Sequence, residues 1–166
     1  MRQIRVHGET DRYKHSVLGI NGRMDTLQAA ILLAKLETYE TELQARERIG
    51  ARYTAGFQIA KSLVTTPYIE PHNQSTYAQY TIQVRQRDIV RKRLSSAGIP
   101  TAIHYPIPLH MQPVFRDTDA VEGDHTIAER AAEHVISLPM HPYLAPSEQD
   151  KIMSATIDAV GSSCLG

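Results

Sequence analysis

The hydrophobic and polar residues that follow residue 25 repeat with the period of a long helix. The first four apolar positions are separated by three or four residues, which places them on one stripe of a helix. The last three continue helical spacing on a rotated face, so a bend is expected between Tyr39 and Ile49. The positions that carry this pattern are Leu32, Leu36, Tyr39, Leu43, Ile49, Tyr53 and Phe57. Asp25 or Thr26 is suited to the N-cap. The sequence predicts one helix, or a pair of helices with a bend, over residues 26–58.

A different pattern begins at residue 77, where "YAQYTIQV" alternates between apolar and polar positions as a half-buried strand does. Shorter strands are predicted within 62–76, in "TAIHY" and in "HVISLP". Helical spacing predicts a helix in "RDIVRKRLSSAG" that stops at Gly98. Two more helices are predicted, near Ile127 to Glu133 and from Ser147 to about Val160, the first after an irregular acidic stretch.

The order of these elements predicts an α+β fold. A long helix leads into a small sheet of three or four strands, and shorter helices cover one face of that sheet. We expect two parts: residues 1–60, comprising a loop and the long connecting helix, and residues 61–166, a small α+β domain.

Composition removes several classes of function. Lys and Arg number 18, as do Asp and Glu, so the overall charge favours neither nucleic acid nor an anionic membrane. The single cysteine, Cys164, allows no internal disulfide. No apolar run is long enough to span a membrane, and no signal-peptide pattern begins the chain. The histidines lack zinc-ligand spacing, so no metal is expected. We therefore expect a cytoplasmic protein.

The balanced charge hides a basic N-terminal segment. Residues 1–23 contain five Lys or Arg residues against two acidic ones, a net charge of +3. The glycine-punctuated stretch "GINGRMD" leads directly into the predicted helix, where backbone N–H groups and Arg side chains suit an anion. Gly19 and Gly22 indicate a backbone that approaches a ligand closely. A solvated basic loop is an equally good interpretation of the composition.

A second candidate cluster is "IHYPIPLH". His104 and Tyr105 end a predicted strand, and the prolines that follow restrict the direction of the loop. Both side chains donate and accept hydrogen bonds, which suits a polyhydroxylated substrate. The spacing alone favours the alternative, a capped strand end with a partly buried histidine.

Several stretches together resemble a known family. They are "RVHG", "LGINGRMDTLQAAILLAKL", "RYTAGF", "TAIHYPIPLHMQP" and "SLPMHPYL". In order, they resemble the C-terminal portion of the DegT/DnrJ/EryC1/StrS family, pyridoxal-phosphate-dependent aminotransferases of fold type I that act on nucleotide-linked keto-sugars. Within the family, these stretches are most similar to those of UDP-2-acetamido-3-keto-glucuronate aminotransferases of surface-polysaccharide synthesis.

The resemblance implies roles for four residues. Asn21 would reach across a dimer to the cofactor phosphate of the partner subunit, and Arg23 would lie near the sugar-nucleotide. His104 and Tyr105 would lie at the substrate end of the same composite site. Asp25 is expected to cap the helix. The implied partners are a nucleotide-sugar, an amino donor and further copies of the chain, with contacts through Leu32, Leu36, Tyr39 or Leu43.

The chain also departs from the family. Members are roughly twice as long, and their N-terminal part supplies the lysine that binds the cofactor covalently. None of the five lysines here lies in that context. We therefore expect a C-terminal fragment that is inactive alone, assign it no catalytic residue, and expect pyridoxal phosphate not to be held covalently. A separate N-terminal half is one partner to consider. The alternative is a stand-alone α+β binding module without catalysis.

Overall fold

The computed structural model describes residues 1–115 and 123–162. The chain falls into two compact units, Met1–Thr41 and Glu42–Gly166. This division lies earlier than residue 60, and the domain boundary expected there stays a prediction. Cys164 and most of the acidic stretch expected before the third helix lie outside the described residues.

The first unit contains a small hairpin that the sequence patterns did not predict. Strand β1 (Glu9–Asp11) pairs antiparallel with β2 (Lys14–His15). Tyr13, in the turn, has a positive φ of 66°, a conformation that non-glycine residues rarely adopt. Its N–H donates to the Glu9 carboxylate over 2.8 Å, which stabilises the turn through a side chain.

Helix α1 (Thr26–Gly56) is one uninterrupted helix, followed by a single 3₁₀ turn, Phe57–Ala60. The Asp25 carboxylate accepts the N–H of Leu27 at 2.9 Å, and the N–H of Asp25 donates to the Gln28 side chain at 3.3 Å. These reciprocal bonds satisfy donors that a helix start leaves unpaired. The expected cap at Asp25 is confirmed, and of the two predicted arrangements the chain adopts the single helix.

The second unit is built on an antiparallel sheet. Within the described residues its order is β3 (Val64–Thr65), β4 (Tyr80–Val84) and β5 (Val135–Leu138). The side chains of Tyr80, Ile82 and Val84 are at most 2% exposed, whereas those between them are partly or fully exposed. The alternation in β4 is therefore confirmed, and so is the predicted α+β class.

Two strand predictions are wrong, one in where a strand begins and one in whether a strand forms. Strand β4 begins at Tyr80 rather than at Tyr77, because Tyr77 has a φ of 41° and its carbonyl accepts a hydrogen bond from Arg46 at 3.0 Å. The strand expected in "TAIHY" is a single bridge in which Ala102 and Ser137 exchange both backbone hydrogen bonds, at 3.2 and 2.8 Å.

The remaining helices are α2 (Arg87–Ser96), α3 (Thr126–His134) and α4 (Pro146–Gly161), close to their predicted positions. Gly98 follows α2 with a φ of 74°, as a helix-stopping glycine does. Helix α2 packs against α4 and against the sheet. No helix among the described residues is both long and apolar enough to cross a membrane.

The core joins the second half of α1 to α4 and the sheet. The Gln149 side chain, 1% exposed, donates to the carbonyl of Ile49 at 2.7 Å, and Arg52 pairs with Asp150 at 2.7 Å. The core side chains are Ile49, Tyr53, Phe57, Ala60, Val64, Tyr80, Ile82, Val84, Val90, Leu94, Ile99, Ile136, Leu138, Leu144, Ile152, Ala159 and Val160. Their burial is the main stabilising contribution to this unit.

Candidate functional site

The N-terminal loop, residues 4–23, has a backbone that is hydrogen-bonded to itself. The N–H of His7 donates to the carbonyl of Ile20 at 3.0 Å, and the N–H of Gly22 donates to the carbonyl of Arg5 at 2.8 Å. These bonds hold the end of the loop against its beginning. The backbone of the loop is therefore restrained by its own hydrogen bonds.

Two glycines allow this close approach of backbone to backbone. Gly8 has a φ of 75°, and a Cβ there would lie 1.6 Å from the carbonyl oxygen of Val17. A Cβ on Gly19 would lie 2.1 Å from the nitrogen of Gly8. The space beside Gly19 is therefore occupied by the chain's own backbone, and a Cβ on Gly22 would lie 3.3 Å from Cβ of Arg5. The close approach of this backbone to a ligand stays a prediction.

Asn21 and Arg23 are the candidate ligands on this loop. The backbone of Asn21 forms a bridge with Val6, while the side chains of both candidates are exposed. Neither side chain forms a hydrogen bond or ion pair with another described residue. Arg23 also lies just before the start of α1, whose N-terminal N–H groups carry partial positive charge. An amide and a guanidinium are thus available for an external acceptor.

The second candidate cluster centres on His104. Its Nδ1 lies 2.9 Å from the hydroxyl oxygen of Ser137, and its ring meets that of Tyr105 edge to face at 5.5 Å between centroids. The peptide bond between these two residues is cis. His104 is half-buried and Tyr105 is 72% exposed. The structure therefore contains the partly buried histidine of the alternative interpretation, beside an accessible phenol.

His104 lines an open cleft of about 280 Å³ at the edge of the sheet. The cleft is bordered by Ala78, Gln79, Pro100, Thr101, Ala102, His104, Ser137, Leu138, Pro139 and Met140. Ser137 is only 5% exposed, and its hydroxyl lies 2.8 Å from that of Thr81. Thr81, Ser137 and His104 thus form one hydrogen-bonded chain that ends in the cleft.

Sequence reasoning missed Ser137 and Thr81. The two hydroxyls lie 56 residues apart in sequence, and each occupies a polar position in a strand, where a serine or threonine is ordinary. The register that pairs Thr81 with Ser137 is what brings them together. Of the four predicted site residues, Asn21 and Arg23 lie in the first unit, and the adjacent His104 and Tyr105 lie in the second.

Another histidine cluster lies outside this cleft. Nε2 of His110 is 3.0 Å from the Glu129 carboxylate, and the rings of His110 and His125 are 4.3 Å apart between centroids. In residues 1–115 and 123–162, no group of three or more His, Cys, Asp or Glu side chains is placed to hold a metal ion.

Comparison with known proteins identifies the class to which this arrangement belongs. The model of the DegT/DnrJ/EryC1/StrS aminotransferase family matches residues 1–156, and the chain belongs to that family. Members of the family are pyridoxal-phosphate-dependent aminotransferases. The resemblance found in the sequence is thereby confirmed.

Particular relatives are similar over most of the chain. UDP-2-acetamido-2-deoxy-3-oxo-D-glucuronate aminotransferase of Pseudomonas aeruginosa is 47% identical over 144 residues, which cover 87% of this chain and 39% of that protein. The pleiotropic regulatory protein of Geobacillus stearothermophilus is 40% identical over 153 residues, 92% of this chain and 41% of that protein. The chain spans about two fifths of the length of these relatives.

The fold comparison agrees with the sequence comparison. The crystal structure of a DegT DnrJ EryC1 StrS aminotransferase from Brucella abortus superposes with a TM-score of 0.88 at 37% identity. The match covers 96% of this chain and 42% of that one. The α+β fold described above is therefore that of the corresponding part of a family member.

Proposed function

We propose that this chain is the C-terminal part of an enzyme that aminates a nucleotide-linked keto-sugar, in the synthesis of a surface polysaccharide or related glycan. The chain would supply ligands for the substrate and for the cofactor phosphate, and it would be inactive alone. The relative from Pseudomonas aeruginosa, which is named as an aminotransferase of a UDP-linked 3-oxo-glucuronate, supports a UDP-linked keto-sugar as substrate.

The observation that carries the proposal is the state of Asn21 and Arg23. Both side chains are exposed and unengaged on a loop whose backbone is held by its own hydrogen bonds. An amide suits one phosphate oxygen, and a guanidinium suits a carboxylate or diphosphate through paired donors. The residues therefore fit anionic groups: Asn21 the phosphate of pyridoxal phosphate in a partner subunit, and Arg23 the sugar-nucleotide.

His104 and Tyr105 would bind the sugar itself. Nδ1 of His104 is taken by Ser137, so Nε2 is the ring nitrogen left to exchange a hydrogen bond with a sugar hydroxyl or carbonyl. The exposed phenol of Tyr105 offers a second donor and acceptor beside it. Pyridoxal phosphate, when bound, supplies the electron sink on which amino transfer depends.

The catalytic lysine would come from a segment that this chain does not contain. No lysine here lies in the sequence context that the family uses, so the chain is assigned no catalytic residue. After incubation with pyridoxal phosphate and desalting, the 166-residue chain should retain no long-wavelength absorbance, and borohydride should fix no cofactor on a lysine. A stoichiometric fixed cofactor would overturn the fragment assignment.

The proposal is tested in a chimera in which the unmatched N-terminal part of the Pseudomonas aeruginosa relative precedes this chain. Amination of the UDP-linked 3-oxo-glucuronate is the readout. Arg23→Ala should raise KM for the sugar-nucleotide roughly ten- to a hundredfold, since a charged hydrogen bond contributes about 1.5–3 kcal/mol. Asn21→Ala should instead weaken retention of pyridoxal phosphate on dialysis.

Arg12→Ala is the matched control. It removes a positive charge from the same basic segment, but Arg12 lies over the ring of Tyr13, 5.1 Å from its centroid, in the hairpin turn. The KM of the Arg12→Ala chimera for the sugar-nucleotide should stay within about twofold of that of the unsubstituted chimera, because surface changes usually contribute about 0.5 kcal/mol or less. If Arg12→Ala and Arg23→Ala raise this KM equally, the loop contributes only its general positive charge, and Arg23 is not a specific ligand. A chimera that folds and binds neither ligand would favour the binding-module alternative.

A further inference from the structure

Ser137 holds an unusual position between two neighbours in the sheet. Its backbone lies opposite Thr81 of β4 on one side and is bridged to Ala102 on the other. Its side chain also touches both neighbouring segments, through the hydroxyl of Thr81 at 2.8 Å and Nδ1 of His104 at 2.9 Å. Backbone pairing on both sides therefore fixes the hydroxyl through which His104 is held.

We propose that Ser137 is a positioning residue for His104, supported by Thr81, and that this pair sets which ring nitrogen of His104 faces the sugar. The proposal rests on the proposed function, in which His104 binds the sugar, and it adds the device that orients the ring. The hydroxyls of Ser137 and Thr81 would not touch the substrate, since each acts through the imidazole of His104.

The direction in which the two hydroxyls donate determines whether Nε2 of His104 is a hydrogen-bond donor or acceptor. When Thr81 donates to Ser137 and Ser137 donates to Nδ1, the ring carries its proton on Nε2, which then donates to a sugar carbonyl. When both hydroxyls turn, Nδ1–H donates to Ser137, and Nε2 accepts from a sugar hydroxyl. Both orders keep both internal hydrogen bonds, so the ring need not move to serve either group.

The burial of Ser137 restricts which residues can occupy position 137. Ser137 is 5% exposed, so its polar atom has little access to water when a partner is lost. The geometry therefore favours Ser or Thr at position 137, since either one supplies both a donor and an acceptor on Oγ. Alanine would leave Nδ1 of His104 without its protein partner.

The test begins with the folded 166-residue chain. Long-range ¹H–¹⁵N spectra report which imidazole nitrogen carries the proton and whether it is hydrogen-bonded. Ser137→Ala should shift the Nδ1 resonance of His104 and change its tautomer population, whereas Ser137→Thr should restore both. Thr81→Val should give a smaller shift, because the bond from Ser137 to His104 remains. Ser96→Ala, at an exposed position on α2, is the matched control.

The kinetic arm uses the chimera described above. Ser137→Ala should raise KM for the sugar-nucleotide roughly two- to tenfold, as expected for one hydrogen bond, and Ser137→Thr should recover it. Unchanged ¹⁵N shifts in a folded Ser137→Ala chain, or a Thr variant that restores nothing, would overturn the positioning role. Shifted resonances with an unchanged KM would also overturn it, because the ring would then serve no substrate. If the chimera is inactive in every variant, the proposed function fails while the spectra still decide whether Ser137 orients the ring.

Discussion

The phenol of Tyr80 donates a hydrogen bond to Oγ1 of Thr54 over 2.8 Å. The direction follows from Thr54, whose own hydroxyl proton goes to the carbonyl of Gly50 at 3.0 Å. This bond ties the central strand β4 to the long helix α1 inside the core. The Tyr80 ring is fully buried and stacks on that of Tyr53 at 4.8 Å between centroids.

The burial of Tyr80 and Tyr53 predicts how stability changes at alkaline pH. Burial raises the pKa of Tyr80 from its ordinary value near 10 to about 12, and burial raises that of Tyr53 as well. The unfolded state therefore loses these protons first, so the contribution of these two phenols to the free energy of unfolding should be level well below pH 10 and should fall as the pH rises from about 10 through the raised pKa values. Urea unfolding at successive pH values measures this fall.

Tyr80→Phe isolates the contribution of one tyrosine, while Tyr53, Tyr77 and Tyr143, whose pKa values are also raised, remain. At neutral pH it should lower the free energy of unfolding by about 1 kcal/mol, the typical value of one hydrogen bond. Above pH 10 the fall should be shallower than in the wild type, with the Tyr53 contribution remaining. Tyr68→Phe, at an exposed position, should leave the profile unchanged. Identical alkaline profiles for the wild type and Tyr80→Phe would contradict the assignment.

A second prediction concerns the start of α1. Asp25→Ala removes the acceptor for the N–H of Leu27 and should destabilise the first turn by about 1 kcal/mol. Asp25→Asn keeps an oxygen in the same place and should cost much less. Hydrogen exchange at the Leu27 amide is the local readout, and equal exchange in the two variants would argue against the cap.

Gly8 and Gly98, two of the three glycines with a positive φ among the described residues, should respond differently to alanine. A Cβ on Gly98 meets nothing within 4 Å, so Gly98→Ala carries only the backbone strain, about 1–2 kcal/mol by urea unfolding. A Cβ on Gly8 would meet the Val17 carbonyl at 1.6 Å, so Gly8→Ala must also separate the loop. The His7 amide, bonded to Ile20, should then lose its protection from exchange. Retained protection would show that the loop tolerates the extra carbon.

The apolar stripe on α1 predicts self-association. Leu32, Leu36 and Tyr39 are 46–61% exposed, whereas Leu43 is half-buried. A patch of such side chains favours an interface, so the chain should form dimers or larger oligomers. Light scattering at tens of micromolar, an order of magnitude set by weak-dimer affinities, measures this. Leu36→Lys should shift the population toward monomer, and a clean monomer in the wild type would rule out the stripe as a contact.

Patterns local in sequence were enough to predict the helices and the alternation in β4, though not the residue at which β4 begins. The period of α1, the alternation around Ile82 and the stop at Gly98 each depend on burial or backbone preference within a few residues. The hairpin was missed because its turn relies on Tyr13 in a left-handed conformation, without the glycine or asparagine that usually marks such a turn.

The site divides along the same line. Asn21, Arg23, His104 and Tyr105 were predicted from short motifs and their resemblance to a family, whereas Ser137 was not predicted. Its contact with His104 joins residues 33 apart in sequence and exists only because "TAIHY" approaches β5 at a single bridge. The same bridge explains why that segment was predicted, wrongly, to be a strand: its composition is typical of one, but pairing ends after Ala102.

Position 137 should therefore tolerate different residues under different selections. The sheet needs only the backbone of this residue, so a library randomised there and sorted for folded protein should retain alanine alongside serine and threonine. A library sorted for amination by the chimera, at a sugar-nucleotide concentration below KM, should enrich serine and threonine over alanine, since Ser137→Ala is expected to raise KM roughly two- to tenfold. If the residues retained for folding differ from those retained for amination, the fold and the site place separate requirements on position 137.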